Sequence, residues 1–296
     1  MADAEIEVVR AQLAARPRPV GWEERRARMD AFGALYAMPA GVSVAPVNAN
    51  GVAAEWTSAP DADKSRVLIF FHGGGYCSGS IASHRHMVAE LGRLAGCRTL
   101  AVGYRLAPEY PFPAALEDAL TAYRFVRGQG VVADRIALCG ESAGGGLALA
   151  ALVSLRDVSE ALPGRAWLSS PWADLSQSGA TIQSKADTDP LIQKAYLDEL
   201  AAAYVQGADA ANPLISPIHA DLTGLPPMLI QVGSAETLLD DSVRIAAAAG
   251  GAGVRVTLDI WPDMIHAFTL FYQQVVAGER ALAEAAVFMR GHAAGA

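Results

Sequence analysis

An α/β protein, with a mostly parallel sheet flanked by helices in one domain, is the fold class this sequence predicts. Short, nearly continuous apolar runs recur along the chain, as strands covered on both faces should. Longer segments of helical periodicity lie between them, and this alternation is the rhythm of a parallel sheet. The 296 residues are 52% hydrophobic and 18% charged, which suits one large domain with a deep core and excludes a disordered chain. Lys plus Arg is 23 and Asp plus Glu 31, a formal net charge of −8. A nucleic-acid partner would call for a basic face, so none is expected. Cys77, Cys97 and Cys139 are too few and too scattered for a disulfide framework or a zinc site. They read as small packing residues in a reducing compartment.

The N-terminus carries Asp3, Glu5 and Glu7 with no apolar run behind them, unlike a signal peptide. The longest apolar runs, residues 67–71 and 147–155, fall short of the roughly 20 residues of a membrane span. A cytoplasmic protein without a membrane span is therefore expected. In residues 1–40, Trp22, Met29, Phe32 and Tyr36 share one helical face, with Glu23, Glu24, Arg25, Arg26 and Arg28 elsewhere. Strands are then predicted at 67–71, 99–103, 135–140, 165–170, 228–232 and 254–261. Helices between them are predicted at 83–95, 114–127, 144–155 and 240–249, with a closing helix at 279–290. The stretch between the fourth and fifth of these strands is too long for a loop. It should hold a helix capped by Asp189 and begun by Pro190, with Ile192, Tyr196 and Leu200 on one face. This insertion and the N-terminal segment are candidates for a small helical cap over the sheet's end.

The strongest local signal is Gly140-Glu141-Ser142-Ala143-Gly144 at a strand-to-helix junction. A serine nucleophile gains from a sharp turn that exposes its hydroxyl, and flanking glycines relieve the crowding. The Ala143 N–H, at a helix N-terminus, can then face a developing oxyanion. A nucleotide-binding turn fits less well, because neither G-x-G-x-x-G nor a Walker lysine is present. The second signal, His72-Gly73-Gly74-Gly75-Tyr76, directly follows a strand. Such a run lets the main chain approach a reacting group and present N–H donors. A phosphate cradle should continue with Lys or Ser/Thr, and here Tyr76 and Cys77 follow.

These two motifs, with Tyr104-Arg105-Leu106-Ala107-Pro108-Glu109 and Pro111-Phe112-Pro113-Ala114, resemble the bacterial hormone-sensitive-lipase branch of the α/β-hydrolases. The resemblance runs from about Val67 to His266. It implies an α/β-hydrolase fold with an eight-stranded, mostly parallel sheet and a serine carboxylesterase activity. It also implies a cap contributed by residues 1–45 and 175–212, over a catalytic domain spanning 46–296. By the same resemblance, Gly73 and Gly74 with Ala143 would supply the oxyanion N–H groups. Two positions depart from the family: Glu141 stands where Asp is usual, and the acid of the triad is changed.

A serine needs a base to take its proton. Of six histidines, His72 should order the glycine loop, while His84, His86, His219 and His292 read as solvated or locally bonded. His266 follows the last strand, at the sheet edge where Ser142 lies, and completes the order Ser, acid, His. The acid candidates at that edge are Glu236, Asp240, Asp241, Asp259 and Asp263. Glu236 is the expected acid, because Glu236-Thr237-Leu238 occupies the family's acid–x–Leu position, and Asp240 is next in line. No metal or organic cofactor is required. Tyr76, Trp22 and Met29 are expected on the walls of an apolar pocket. A small ester of short or medium chain length, or a lactone, is the expected substrate, since no large interfacial lid is legible. An amidase or acyl-transfer enzyme with the same triad is the alternative, and a non-catalytic small-molecule receptor a further one. A homodimer is compatible with the sequence and specified by no motif.

Overall fold

The computed structural model describes residues 4–291. Eight strands form one sheet in the order β1-β2-β4-β3-β5-β6-β7-β8. They are β1 Ser43–Ala49, β2 Val52–Ser58, β3 Asp63–Phe71, β4 Cys97–Gly103, β5 Ile136–Glu141, β6 Arg165–Ser169, β7 Met228–Gly233 and β8 Val256–Trp261. From β4 to β8 all neighbours are parallel, whereas β1/β2 and β2/β4 are antiparallel. Both cores can be read from β3 alone. Val67, Ile69 and Phe71 face one apolar layer, and Leu68 and Phe70 face the other. A strand buried on both sides needs no polar alternation, so its sequence is one apolar run.

The main helices follow their strands: α3 Ile81–Ala95 after β3, α4 Ala114–Gly128 after β4, α5 Ala143–Asp157 after β5, α8 Leu239–Gly251 after β7 and α9 Val276–Arg290 after β8. None is long and apolar enough to cross a membrane, among the described residues. The β1–β2 hairpin is absent from the sequence expectation. β1 is mostly exposed and carries Pro46 and Asn48, so it lacks an apolar signature. Its turn, Asn50-Gly51, has positive φ at both residues, as a tight hairpin requires. Because β1 starts at Ser43, a boundary at residue 45 falls inside this strand.

The N-terminal segment forms two helices rather than one pattern, α1 Ala4–Ala14 and α2 Trp22–Gly33, with Pro17 and Pro19 between them. Ile6 and Val9 of α1 are buried in the layer that also contains α9 residues. Tyr36 lies beyond the end of α2 and is buried in the same layer, its ring edge-on to Phe32. In the insertion, α6 is Thr181–Ser184 and α7 is Lys194–Val205. The expected start at Pro190 is therefore corrected to Lys194. Asp189 does cap backbone, but of a preceding turn. Its Oδ1 accepts the N–H groups of Leu191 and Ile192, and its Oδ2 accepts that of Thr237. Thr181 and Thr188 donate their hydroxyls to the carbonyls of Thr237 and Ala235. The insertion is thereby laced to the turn after β7.

Candidate active site

β5 ends at Glu141 and α5 begins at Ala143, so Ser142 occupies the turn between them with φ 54° and ψ −122°. A non-glycine residue in that conformation is strained and persists only where its surroundings hold it. Here the Ser142 N–H donates to Ser169 O, while Ser142 O accepts N–H groups from Gly145, Gly146 and Trp172. The turn is too tight for side chains at its flanks. A Cβ on Gly140 would lie 2.0 Å from Gly144 O, and one on Gly144 would lie 2.0 Å from Phe71 O.

His266 sits after β8, in a loop with positive φ at Asp263 and Ala267. Its Nε2 is 2.9 Å from Ser142 Oγ, and its Nδ1 is 3.0 Å from Glu236 Oε2. Glu236 is fully buried just past β7, and its Oε1 accepts the Ser170 hydroxyl at 2.7 Å and the Gly233 N–H. With Nδ1–H donated to a carboxylate, Nε2 is left as the acceptor that a serine proton needs. Burial alone would lower the proton affinity of His266. The Glu236 hydrogen bond and charge, backed by the charge of Glu141, overcome burial and hold it above the ordinary histidine value.

The remaining acids lie elsewhere. Asp240 accepts the Ala180 N–H, Asp241 accepts those of Ala173 and Asp174, Asp259 meets the Gln231 amide, and the Asp263 N–H donates to Ser234. Burial pushes the Asp241 carboxyl up to about 7, yet it stays in this structural role.

The glycine loop corrects one assignment. The Gly73 N–H is directed at His84 Nε2, 3.2 Å away inside the protein, and is not offered to a carbonyl above Ser142. The N–H groups of Gly74 and Gly75 have no hydrogen-bond acceptor among the described residues. The third donor, Ala143, is the first residue of α5, where N–H groups lack intrahelical acceptors. His72 orders the loop as expected. Its Nδ1 meets Gly73 O at 2.8 Å, its ring stacks on Tyr104, and its carbonyl accepts the Tyr104 hydroxyl.

His84 and His86 are not solvated. Both are buried, His84 against Glu141 and His86 between the rings of Tyr36 and Tyr272. His219 is exposed in a short turn, and His292 lies outside the described residues. Of the expected pocket residues, Tyr76 is buried and stacked on Tyr204 at 3.9 Å. Trp22 and Met29 are half-buried on α2, with the Arg25 guanidinium over the Trp22 ring. Ser170 was not foreseen. Its hydroxyl donates to Glu236, and its oxygen accepts the Ala267 N–H at 3.3 Å. Its only signal in sequence is its place at the end of the strand beside the nucleophile. No group of three or more His, Cys, Asp or Glu side chains is arranged to hold a metal, among the described residues.

A family model described as the alpha/beta hydrolase fold matches residues 68–270. The chain is 44% identical over 299 residues to an acetyl-hydrolase of Streptomyces hygroscopicus, covering 98% of this chain and 97% of that protein. It is similar to the crystal structure of an esterase from the bacterial hormone-sensitive lipase family. The identity is 41%, the TM-score 0.95, and the match covers 98% of this chain and 99% of that one. A structure of EstE5 soaked with p-nitrophenyl butyrate is 40% identical with a TM-score of 0.94, over 98% of each chain. A likeness of this extent takes in the sheet and the serine-bearing turn together, and the chain belongs to the α/β-hydrolase family, in its bacterial hormone-sensitive-lipase branch.

Proposed function

We propose that this esterase hydrolyses short- to medium-chain carboxylic esters or lactones with Ser142 as nucleophile, His266 as base and Glu236 as its acid. The observation that carries the reading is the unbroken line from Ser142 Oγ to His266 Nε2 at 2.9 Å and from His266 Nδ1 to Glu236 at 3.0 Å. As Oγ bonds to the ester carbon, its proton passes to Nε2 and the carbonyl π pair moves onto oxygen. The N–H groups of Gly74, Gly75 and Ala143 receive that oxyanion. Each well-aimed donor in such a site contributes about 3–4 kcal/mol to lowering the barrier. The C–O bond to the alcohol then breaks, Nε2–H protonates the leaving oxygen, and water repeats the cycle on the acyl-enzyme. Glu236 holds the tautomer and balances the imidazolium.

The described part of the N-terminal segment, residues 4–42, and residues 175–212 form the cap in this reading. Arg26 supports it by donating to Cys77 O and Ala107 O, which ties α2 to the glycine loop. Leu200 of α7 lies against Gly75 from the other side, and this reading assigns Tyr76, Trp22 and Met29 to the pocket walls. A small substrate accords with Ser142 being only 6% exposed and His266 only 4%. A cytoplasmic location accords with three free, buried thiols.

Ser142→Ala should abolish p-nitrophenyl butyrate turnover while leaving the thermal transition in place, and a fluorophosphonate should label Ser142 alone. Labelling at another residue would refute the assignment. Turnover of matching p-nitroanilides at comparable rates would move the reading to an amidase.

A further inference from the structure

Behind the nucleophile lies a second buried acid–imidazole pair that the reaction described above does not use. Glu141 is the last residue of β5, on the face that Ala137 and Cys139 turn toward α3. Its Oε2 is 3.1 Å from His84 Nε2, and a Cβ on Gly73 would meet that same oxygen at 1.9 Å. The carboxyl is thus pressed against the glycine loop and fixed by α3. Its other oxygen, Oε1, is buried without a hydrogen-bond partner among the described residues and lies 3.5 Å from His266 Nε2. A buried, unpartnered carboxylate oxygen is costly and calls for an explanation.

We propose that Glu141 is a positioning residue for ester hydrolysis: its carboxylate, held by His84, faces the Nε2 edge of His266 and stabilises the imidazolium formed when Ser142 gives up its proton. This inference rests on the triad reading above. His84 Nε2 accepts the Gly73 N–H at 3.2 Å and lies 3.1 Å from Glu141 Oε2, so one ring fixes both the glycine loop and the carboxyl. The Ser83 hydroxyl donates to Ser80 O, so its oxygen is the acceptor toward His84 Nδ1, 2.8 Å away.

Glu236 serves the Nδ1 edge of His266, and Glu141 serves the other edge. In the resting enzyme Nε2 is bare, and Oε1 has nothing to accept. Once the Ser142 O–H bond has broken and the proton sits on Nε2, the attraction appears. An interaction that strengthens as charge develops lowers the barrier. The charged and titratable groups around His266 are Glu236 after β7, Glu141 on β5 and Asp189 from the insertion. His84 and His72 stand behind Glu141, and Tyr104 stacks on His72.

The test is the pH profile of kcat/KM for p-nitrophenyl butyrate in the full-length chain. Glu141→Gln keeps the shape and removes the charge. Its acid limb should move down by about one pH unit or more, because an opposite charge this close shifts a histidine by roughly one to three units. Its kcat should fall about tenfold or more, with KM within about twofold. Glu141→Asp keeps the charge and should hold the limb within about half a unit of the parent. If Glu141→Gln does not fold, Glu141→Thr, neutral and suited to a strand end, should show the same downward shift. An unmoved limb in a neutral variant that still takes the fluorophosphonate at Ser142 overturns the proposal. So does a limb that moves as far in Glu141→Asp as in the neutral variant. If Ser142→Ala retains turnover, the triad reading itself has failed. If Ser142→Ala is dead and the limb stays put, only the role of Glu141 has.

Discussion

Glu236 and Asp240 are four positions apart and carry the same chemistry, and hydrogen bonding separates their roles. Glu236 presents Oε2 to His266 Nδ1, whereas Asp240 spends Oδ2 on the Ala180 N–H at the border of the insertion. Glu236→Gln should therefore cut kcat about 10³- to 10⁴-fold in steady-state assays, as a neutral acid position does in this type of triad. Asp240→Asn should stay within about threefold, in the range of an ordinary surface change. The reverse ranking would transfer the role to Asp240. The sign of the pH dependence follows from His266. Catalysis needs its neutral form, and its proton affinity is raised, so activity should climb with pH through a value above that of free histidine. Glu236→Gln should bring that rise to lower pH. At this scale Ser142, His266 and Glu236 were legible, because motif, chain order and strand ends locate them without coordinates. Gly73, Ser170 and the His84–Glu141 pair were not. Their roles depend on which way a main-chain hydrogen or a hydroxyl points, and local sequence does not encode that.

The turn joining β5 to α5 tolerates almost no variation. A Gly144→Ala methyl would meet backbone on two sides, Phe71 O at 2.0 Å and His72 O at 2.6 Å. Backbone at a strand end cannot retreat as a flexible side chain would. The variant should lose at least about 2 kcal/mol of stability by denaturant titration, and turnover with it, since His72 begins the glycine loop. Unchanged stability would mean that the junction is looser than these contacts require. The interior elements β3, β5, β6 and β7 were readable because both faces are covered and their sequences are continuously apolar. The β1–β2 hairpin was not, since an exposed edge strand needs no such run, although Asn50-Gly51 marks its turn. The start of α7 was misplaced for a related reason. Asp189 has the chemistry of a helix cap, but tertiary contact with Thr237 recruits it to another task.

Across the whole molecule, pH acts through buried histidines as well as through the catalytic one. Burial lowers both His72 and His86 to about 3. Each must stay neutral in the fold but takes a proton readily when unfolded, near pH 6.5. Their contribution to stability is thus complete above about pH 6.5 and is lost progressively as the pH falls toward 3. Among the described residues His86 has no hydrogen-bond partner at either ring nitrogen, and it lies stacked between Tyr36 and Tyr272. His86→Phe keeps the stack and removes the proton uptake. It should raise stability by about 1–3 kcal/mol at pH 5 and by less at pH 8, as thermal melts at the two values would show. An equal gain at both would assign the effect to packing. The mostly parallel sheet was legible, while the strand order and the anchoring of the N-terminal helices were not, because the partners lie so far along the chain. Arg10 donates to the carbonyls of Thr188 and Asp263, the latter 253 positions away and shortly before His266. A ribosome adds about 5–20 residues each second, so α1 emerges tens of seconds before the loop it clasps exists. Throughout that interval Ile6 and Val9 lack the α9 side chains that cover them in the finished fold, and the nascent polypeptide cannot yet cleave anything.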